Sequence, residues 1–297
     1  MAIQKKILKA TVVSPIFSSG ADNRKLELRP TEWKALMRTV FRWASVTQET
    51  KQLYQEESEL FGGADKKSHA SPIRIQLVEN NISVETGHLV KREGKKKAQH
   101  EFYVPGSQFS IVLRKYLEQG KSLAWYEEML KLSTVLGGVG KRSRRGRGVI
   151  TFEAMPETKE DLLIWLTERL NGLNKRQTYV IKQDEIVNKA FLKPFRRPVI
   201  EKILIGKEIG NVLAYLCDVD LAAHEVKGSH QSVYLTGSGK GRFASSLIIS
   251  VVQTGNKKFY PIYTFLKSVK KNGPIKFKVD DREVFHGKLE VKKEGKQ

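Results

Sequence analysis

Residues 137–148 read Gly-Gly-Val-Gly-Lys-Arg-Ser-Arg-Arg-Gly-Arg-Gly, the stretch with the sharpest chemistry in the chain. Its five glycines allow φ > 0 and close approach of backbone to a partner. Successive amides in such a loop can form an anion nest. Lys141, Arg142, Arg144, Arg145 and Arg147 add charge and forked phosphate contacts. A second loop, Gly237-Ser238-Gly239-Lys240-Gly241-Arg242, repeats the character more weakly. Neither loop is a nucleotide P-loop. That motif needs glycine five residues before its Gly-Lys pair and Ser or Thr directly after it. Here those places hold Val135 and Arg142 in one loop, and Tyr234 and Gly241 in the other. The chemistry on offer is the grip of a phosphate backbone.

Other residues extend that reading. Lys34, Arg38 and Arg42 recur at i, i+4 and i+8, a row along one helix edge. The row is either a solvated flank or a continuation of a phosphate track. Phe243, Phe17 and Tyr234 are candidates for stacking unpaired bases. Trp33, Trp43, Trp125 and Trp165 fall at helical apolar spacing and read as core. Catalytic patterns are poor. The six histidines are scattered, and Asp218, Asp220 and His224 do not share a helix face that would suit a metal. Asp65 as a backbone-cleavage acid and His69 as a general base have no partner at useful spacing. No cofactor or metal is expected.

Charge supports the same class of partner. The 297 residues carry 53 Lys+Arg against 32 Asp+Glu, a net charge of +21. Residues 1–155 hold 27 basic and 16 acidic side chains, and the remainder is equally basic, so no tail carries the excess. Two windows, 129–152 and 226–279, contain no acid at all, whereas an ordinary surface mixes signs. A nucleic acid is the natural polyanion. One cysteine, Cys217, excludes a disulfide framework and cysteine metal sites. No apolar run reaches the ~20 residues of a membrane span, and Met1–Ala10 lacks the features of a signal peptide. The expectation is a soluble, cytoplasmic α+β protein.

The elements that must position these residues follow from periodicity. Strands are expected over 7–16, 71–78, 109–113, 149–154, 178–181, 247–252 and 259–266. A helix follows Pro30, with Thr31 as its N-cap and Trp33, Leu36, Met37, Val40, Phe41 and Ala44 on its buried face. Further helices are expected over 121–136, 159–170 and 209–219. Phe61-Gly62-Gly63 breaks the chain, and 91–97 is a basic turn between strands. Pro156 marks a boundary between domains 1–155 and 156–297. Helix, Gly-rich basic loop and strand then recur in that order in both halves, which supports two related domains.

Several blocks resemble a known family. Ser14-Pro15-Ile16-Phe17, Gly20-Ala21-Asp22, Glu27-Leu28-Arg29-Pro30 and Lys34, Arg38, Arg42 resemble the N-terminal signature of the first RAMP subunit of the Cmr complex, the type III-B CRISPR effector. Phe61-Gly62-Gly63 with Ala70-Ser71-Pro72, the loop 136–149, and Arg242-Phe243-Ala244-Ser245 with Leu247 are similar to its later blocks, in order. Glu32, Ala35 and Ser246 depart from the usual Ser, Gly and Pro.

The resemblance implies two tandem ferredoxin-like (RAMP/RRM-like) domains with Gly-rich loops. It implies a non-catalytic subunit at the filament end that holds the 3′ region of the crRNA and helps capture target RNA. Its partners would be crRNA, target RNA, the backbone RAMP subunit and the small terminal RAMP subunits, with no membrane. The RNA-binding residues would be Arg29, Lys34, Arg38, Arg42, Lys141, Arg142, Arg144, Arg145, Arg147, Lys240, Arg242 and Phe243. If about five phosphates are neutralised, single-strand binding would show a salt slope of about −3.5. A metal-independent RAMP endoribonuclease that processes crRNA precursor is the enzymatic alternative, and a scaffold for acidic proteins is a third.

Overall fold

The computed structural model describes residues 3–20, 25–64, 68–90, 99–174, 176–192, 195–229, 236–237, 244–267 and 280–294. Lys240, Arg242, Phe243, Tyr234, Asp65 and the 91–97 turn lie outside the described residues.

The first half runs β1 (Gln4–Val12), α1 (Pro30–Ala44), α2 (Thr50–Phe61), β2 (Ile73–Asn81), β3 (Val84–His88), β4 (Gln99–Tyr103), β5 (Gln108–Lys115), α3 (Leu123–Leu136) and β6 (Ile150–Phe152). Four of its strands form one antiparallel sheet in the order β2-β5-β1-β6, and β3–β4 is a separate hairpin between β2 and β5. With the hairpin set aside, this is the 4-1-3-2 order of a ferredoxin-like domain. Strand alternation aims Leu8, Ala10 and Val12 of β1 and Ile73 and Ile75 of β2 at α1 and α3.

The N-cap of helix α1 lies two residues earlier than the Thr31 expected from sequence. Pro30 holds the first turn and Arg29 the cap position, with no side-chain cap. The fixed φ of proline already suits that turn, and its missing N–H is not needed there. Helix α2 did not stand out in the sequence. It ends at Gly62, whose φ of 83° lets the chain turn away. Helix α3 is the central element. Ser122 caps it, accepting from the Trp125 amide at 3.2 Å. Residues 129–136 are all buried, including Lys131, which pairs with Glu127 at 2.9 Å and Glu128 at 3.2 Å.

The second half runs α4 (Lys159–Gly172), β7 (Tyr179–Lys182), β8 (Glu185–Asn188), a 3-10 turn at Lys189–Leu192, β9 (Ile200–Ile205), α5 (Val212–Ser229), β10 (Leu247–Gln253), β11 (Phe259–Leu266) and α6 (Asp281–Glu294). A capping box of Thr158 and Asp161 starts α4. The antiparallel sheet has the order β10-β11-β9-β8-β7. Counted from β9, its strands β10, β11 and β9 keep the 2-3-1 order of the first sheet. The fourth place, beside β9, is taken by β8, which precedes it in the chain. The domain is thus ferredoxin-like with its last strand supplied from the front. Strands β8 and β9 and helix α6 did not stand out in the sequence.

No strand of either sheet crosses Met155–Pro156, yet packing does. One core joins Leu8, Phe109 and Met129 to Leu162, Leu166, Tyr179 and Ile203. A second joins Val13 and Val149 to α5, β10, β11 and α6. The end of α1 is also tied across. Asn174 accepts from the Val46 amide at 2.9 Å and donates to Ala44 O at 3.2 Å, and the Tyr179 hydroxyl donates to Ala44 O at 2.8 Å. The Arg197 guanidinium donates to Ser45 O at 2.7 Å, to Thr47 O at 2.8 Å and to Arg42 O. Among the described residues, no helix is long and apolar enough to cross a membrane. Asn174→Ala leaves the Val46 amide without its acceptor, and denaturant unfolding should show a loss of about 1–3 kcal/mol.

Candidate nucleic-acid interface

The Gly-rich loop leaves α3, folds over Phe17 and Pro15, and then enters β6. Three backbone bonds fix its path: Lys141 N–H to Phe17 O at 2.8 Å, Val139 N–H to Gly148 O at 2.9 Å, and Gly148 N–H to Pro15 O at 3.0 Å. Gly148 has φ 75°, and a Cβ there would lie 1.8 Å from Val139 O. Gly138 would place one 2.3 Å from Arg147 O. These two glycines are required by the packing of the loop on itself.

The loop also binds the second domain along its edge. Gly146 N–H donates to Ile249 O at 2.8 Å, and Ile249 N–H donates to Arg144 O at 3.2 Å, so residues 144–146 line the free edge of β10. Four arginines complete the attachment. Asp220, with its side chain fully enclosed on α5, receives Arg147 Nη2 on Oδ2 at 2.5 Å and Arg142 Nη2 on Oδ1 at 2.6 Å. Arg145 donates to Thr236 O at 2.5 Å, and its guanidinium carbon lies 4.7 Å from the Phe285 ring centroid. Arg144 donates to Ser245 O at 2.6 Å and lies 5.3 Å from the Trp43 ring centroid.

This overturns part of the phosphate-track expectation. Arg145 and Arg147 are interior, at 7% and 5% exposure, and their donors are committed to protein acceptors. Burial, reinforced by the repulsion of Arg142 and Arg144, pushes the Arg145 guanidinium down to about 9, while Asp220 opposes the shift. It remains cationic at neutral pH. Asp220 is not available as a metal ligand either, because two guanidiniums occupy its oxygens. Among the described residues, no cluster of His, Cys, Asp and Glu has the form of a metal site.

The basic row on α1 also has another role. Arg38 Nε donates to Glu57 Oε1 at 2.6 Å, and Arg42 lies 3.5 Å from the same oxygen. The Glu57 side chain is only 3% exposed, so this carboxylate binds α1 to α2. Lys34 is half-buried, and desolvation with the nearby Arg38 charge lowers its pKa. The row lies about a quarter turn round the helix from the side that meets the loop.

That other side forms the candidate site. Glu32, Ala35, Leu36, Thr39 and Trp43 of α1 face residues 137–141, Ser143 and Arg144 across a groove of about 380 Å³, with Phe17 and Ile248 at its ends. Gly138, Gly140 and Ser143 line it, and their amides take no hydrogen-bond partner among the described residues. Lys141 and Arg144 also line it, with no carboxylate partner among the described residues. Glu32 puts a carboxylate on the wall. It accepts from Arg29 at 2.5 Å and from Ser18 Oγ at 2.8 Å, so its charge is already answered. Of the expected stackers, Phe17 is only 4% exposed and packs on Phe102 at 5.0 Å. Trp43 belongs to the core, as its helical spacing implied, at 7% exposure, and borders the groove beneath Arg144.

Residues 9–151 match the family model of the RAMP superfamily. The match takes in the Gly-rich loop and stops short of the second half. The whole fold is shared with solved Cmr chains. Cmr1 from Pyrococcus furiosus in its apo form superposes with a TM-score of 0.56 at 17% identity, covering 98% of this chain and 97% of that one. A chain of a type III-B Cmr-beta complex bound to cognate target RNA gives 0.57 at 11% identity, with 97% and 98% covered. A second such complex, which also carries AMPPnP and was solved in the presence of ssDNA, gives 0.57 at 12% identity, with 95% and 98% covered. No curated protein matches the chain by sequence.

The Gly-rich loop is thus held from the second domain by Asp220. Asp220→Ala strands two guanidiniums beside a buried gap, and equilibrium unfolding should register a loss of about 3–5 kcal/mol.

Proposed function

We propose that the chain is a non-catalytic RNA-binding subunit of a type III-B (Cmr) CRISPR effector, seated at the crRNA 3′ end and helping to capture target RNA. The observation that carries the RNA-binding part is the groove between α1 and the Gly-rich loop. It offers unengaged amides at Gly138, Gly140 and Ser143 beside the cations Lys141 and Arg144. Cations and glycine backbone lining one cleft suit phosphate oxygens. The place within an effector is supported by the shared fold with Cmr chains and by the sequence blocks of the first Cmr RAMP subunit. His69, the one weighed as a general base, sits in an exposed loop where its amide and carbonyl pair with Gly63.

With Arg145 and Arg147 withdrawn into the interior, Lys141 and Arg144 are the groove cations without a carboxylate. The salt slope owed to the groove falls to about −1.4 for two phosphates, at ~0.7 each. Lys141→Ala should flatten the slope of single-stranded RNA binding by about 0.7 and weaken all sequences alike. An affinity independent of salt, or a loss confined to one sequence, would contradict phosphate contact there. The enzymatic alternative has a separate test. Pure protein incubated with CRISPR repeat RNA in EDTA should leave it intact, whereas discrete cutting abolished by His69→Ala would make the chain a ribonuclease.

A further inference from the structure

A second basic surface lies outside the groove and uses other residues. The first-domain sheet buries one face against α1 and α3, and its other face looks outward. On β1, Lys5, Ile7 and Lys9 are exposed, out of phase with Leu8 and Ala10, which point inward. On β2, Arg74 and Gln76 are exposed, out of phase with the buried Ile73 and Ile75. The register places Arg114 of β5 directly opposite both Lys5 and Arg74. Residues opposite one another in an antiparallel sheet share a face. Three cations from three adjacent strands therefore stand in one row, about 10 Å long at a strand spacing of ~4.8 Å.

Like charges directly opposite one another destabilise a sheet. Here nothing on the same strands relieves them, because the outward positions of β1, β2 and β5 include no carboxylate. Lys5 and Arg74 have no ion-pair partner among the described residues, and Arg114 donates to the neutral Gln76. Relief comes only at the margin, where exposed Glu153 lies 3.3 Å from Lys9. Elsewhere the molecule interleaves signs in the ordinary way: Lys202 meets Glu283 at 2.7 Å, Lys258 meets Glu208 at 2.8 Å and Lys288 meets Glu225 at 2.9 Å. The row is uncompensated repulsion that an external chain of anions would relieve.

We propose that the outer face of this sheet, centred on the Lys5–Arg114–Arg74 row, is a second contact surface for the phosphodiester backbone of single-stranded RNA, separate from the groove. The identity of the polymer rests on the RNA-binding reading above, whereas the location does not. The outward positions of these three strands carry no aromatic residue, so the face has nothing to stack bases on. Its contacts are to phosphates, and it reads neither sequence nor the 2′-hydroxyl.

The test uses the full chain, labelled single-stranded RNA and single-stranded DNA of the same sequence, and anisotropy across a salt series. The double variant Lys5→Gln/Arg74→Gln changes two exposed side chains, so its thermal midpoint should match the wild type. Its salt slope should be shallower by about 1.4, at ~0.7 per phosphate, equally on RNA and DNA and additively with Lys141→Ala. A wild-type slope in the double variant, with a flattened slope in Lys141→Ala, overturns this inference and leaves the groove standing. The reverse pattern overturns the groove alone, and no binding by the wild-type chain removes both. Unchanged RNA binding with lost binding to poly-glutamate would assign the face to an acidic protein instead.

Discussion

A single enclosed carboxylate, Asp220, sets the arrangement on which the rest depends. Two guanidiniums from the first domain, Arg142 and Arg147, meet it from one loop. An isolated charge in such a place would cost several kcal/mol to desolvate, so neither side can leave without stranding the other. Once the pair is made, residues 144–146 are delivered to the edge of β10, and Arg145 reaches backbone oxygens and the Phe285 ring. The loop that looks designed for a ligand is first of all the clasp between two domains.

That clasp shapes the groove. It turns residues 137–141 toward the side of α1 that carries Ala35, Thr39 and Trp43. The cations that remain at the surface are those the interior does not need. Lys141 stays in the groove, whereas Arg38 and Arg42 are drawn to Glu57 on a neighbouring face of α1. The same division explains how a chain of net charge +21 can fold without tearing itself apart. Many of its arginines are spent on buried carboxylates, carbonyls and aromatic rings, and the residue of uncompensated charge collects on a few faces.

The two domains share one strand order but not one chain path. In the second sheet the place beside β9 is filled from the N-terminal side by β8, which frees the C-terminal segment to end in α6 over Phe265 and Tyr263. Helix α3 lies between the two sheets and is buried over 129–136. The halves therefore behave as separate sheets around a common interior, and the ties from Asn174, Tyr179 and Arg197 to the end of α1 belong to the same seam.

Local pattern was enough for much of the architecture. Period-2 alternation marked β2, continuous apolar runs marked β10 and β11, the 3.6 period marked α1, and the order of blocks resembled a known family. These are near-neighbour properties, readable because burial repeats along each element. Helix α2, strands β8 and β9 and helix α6 did not stand out in the sequence. The fate of each arginine was a different matter. Nothing in Lys-Arg-Ser-Arg-Arg-Gly-Arg says that the third and fourth arginines turn inward, because their partners, Asp220, Thr236, Leu247 and Phe285, lie more than seventy residues away. Charge and glycine content told that the loop belonged with phosphates. Only the tertiary structure, by bringing one enclosed carboxylate against it, decided which cations were left to meet them.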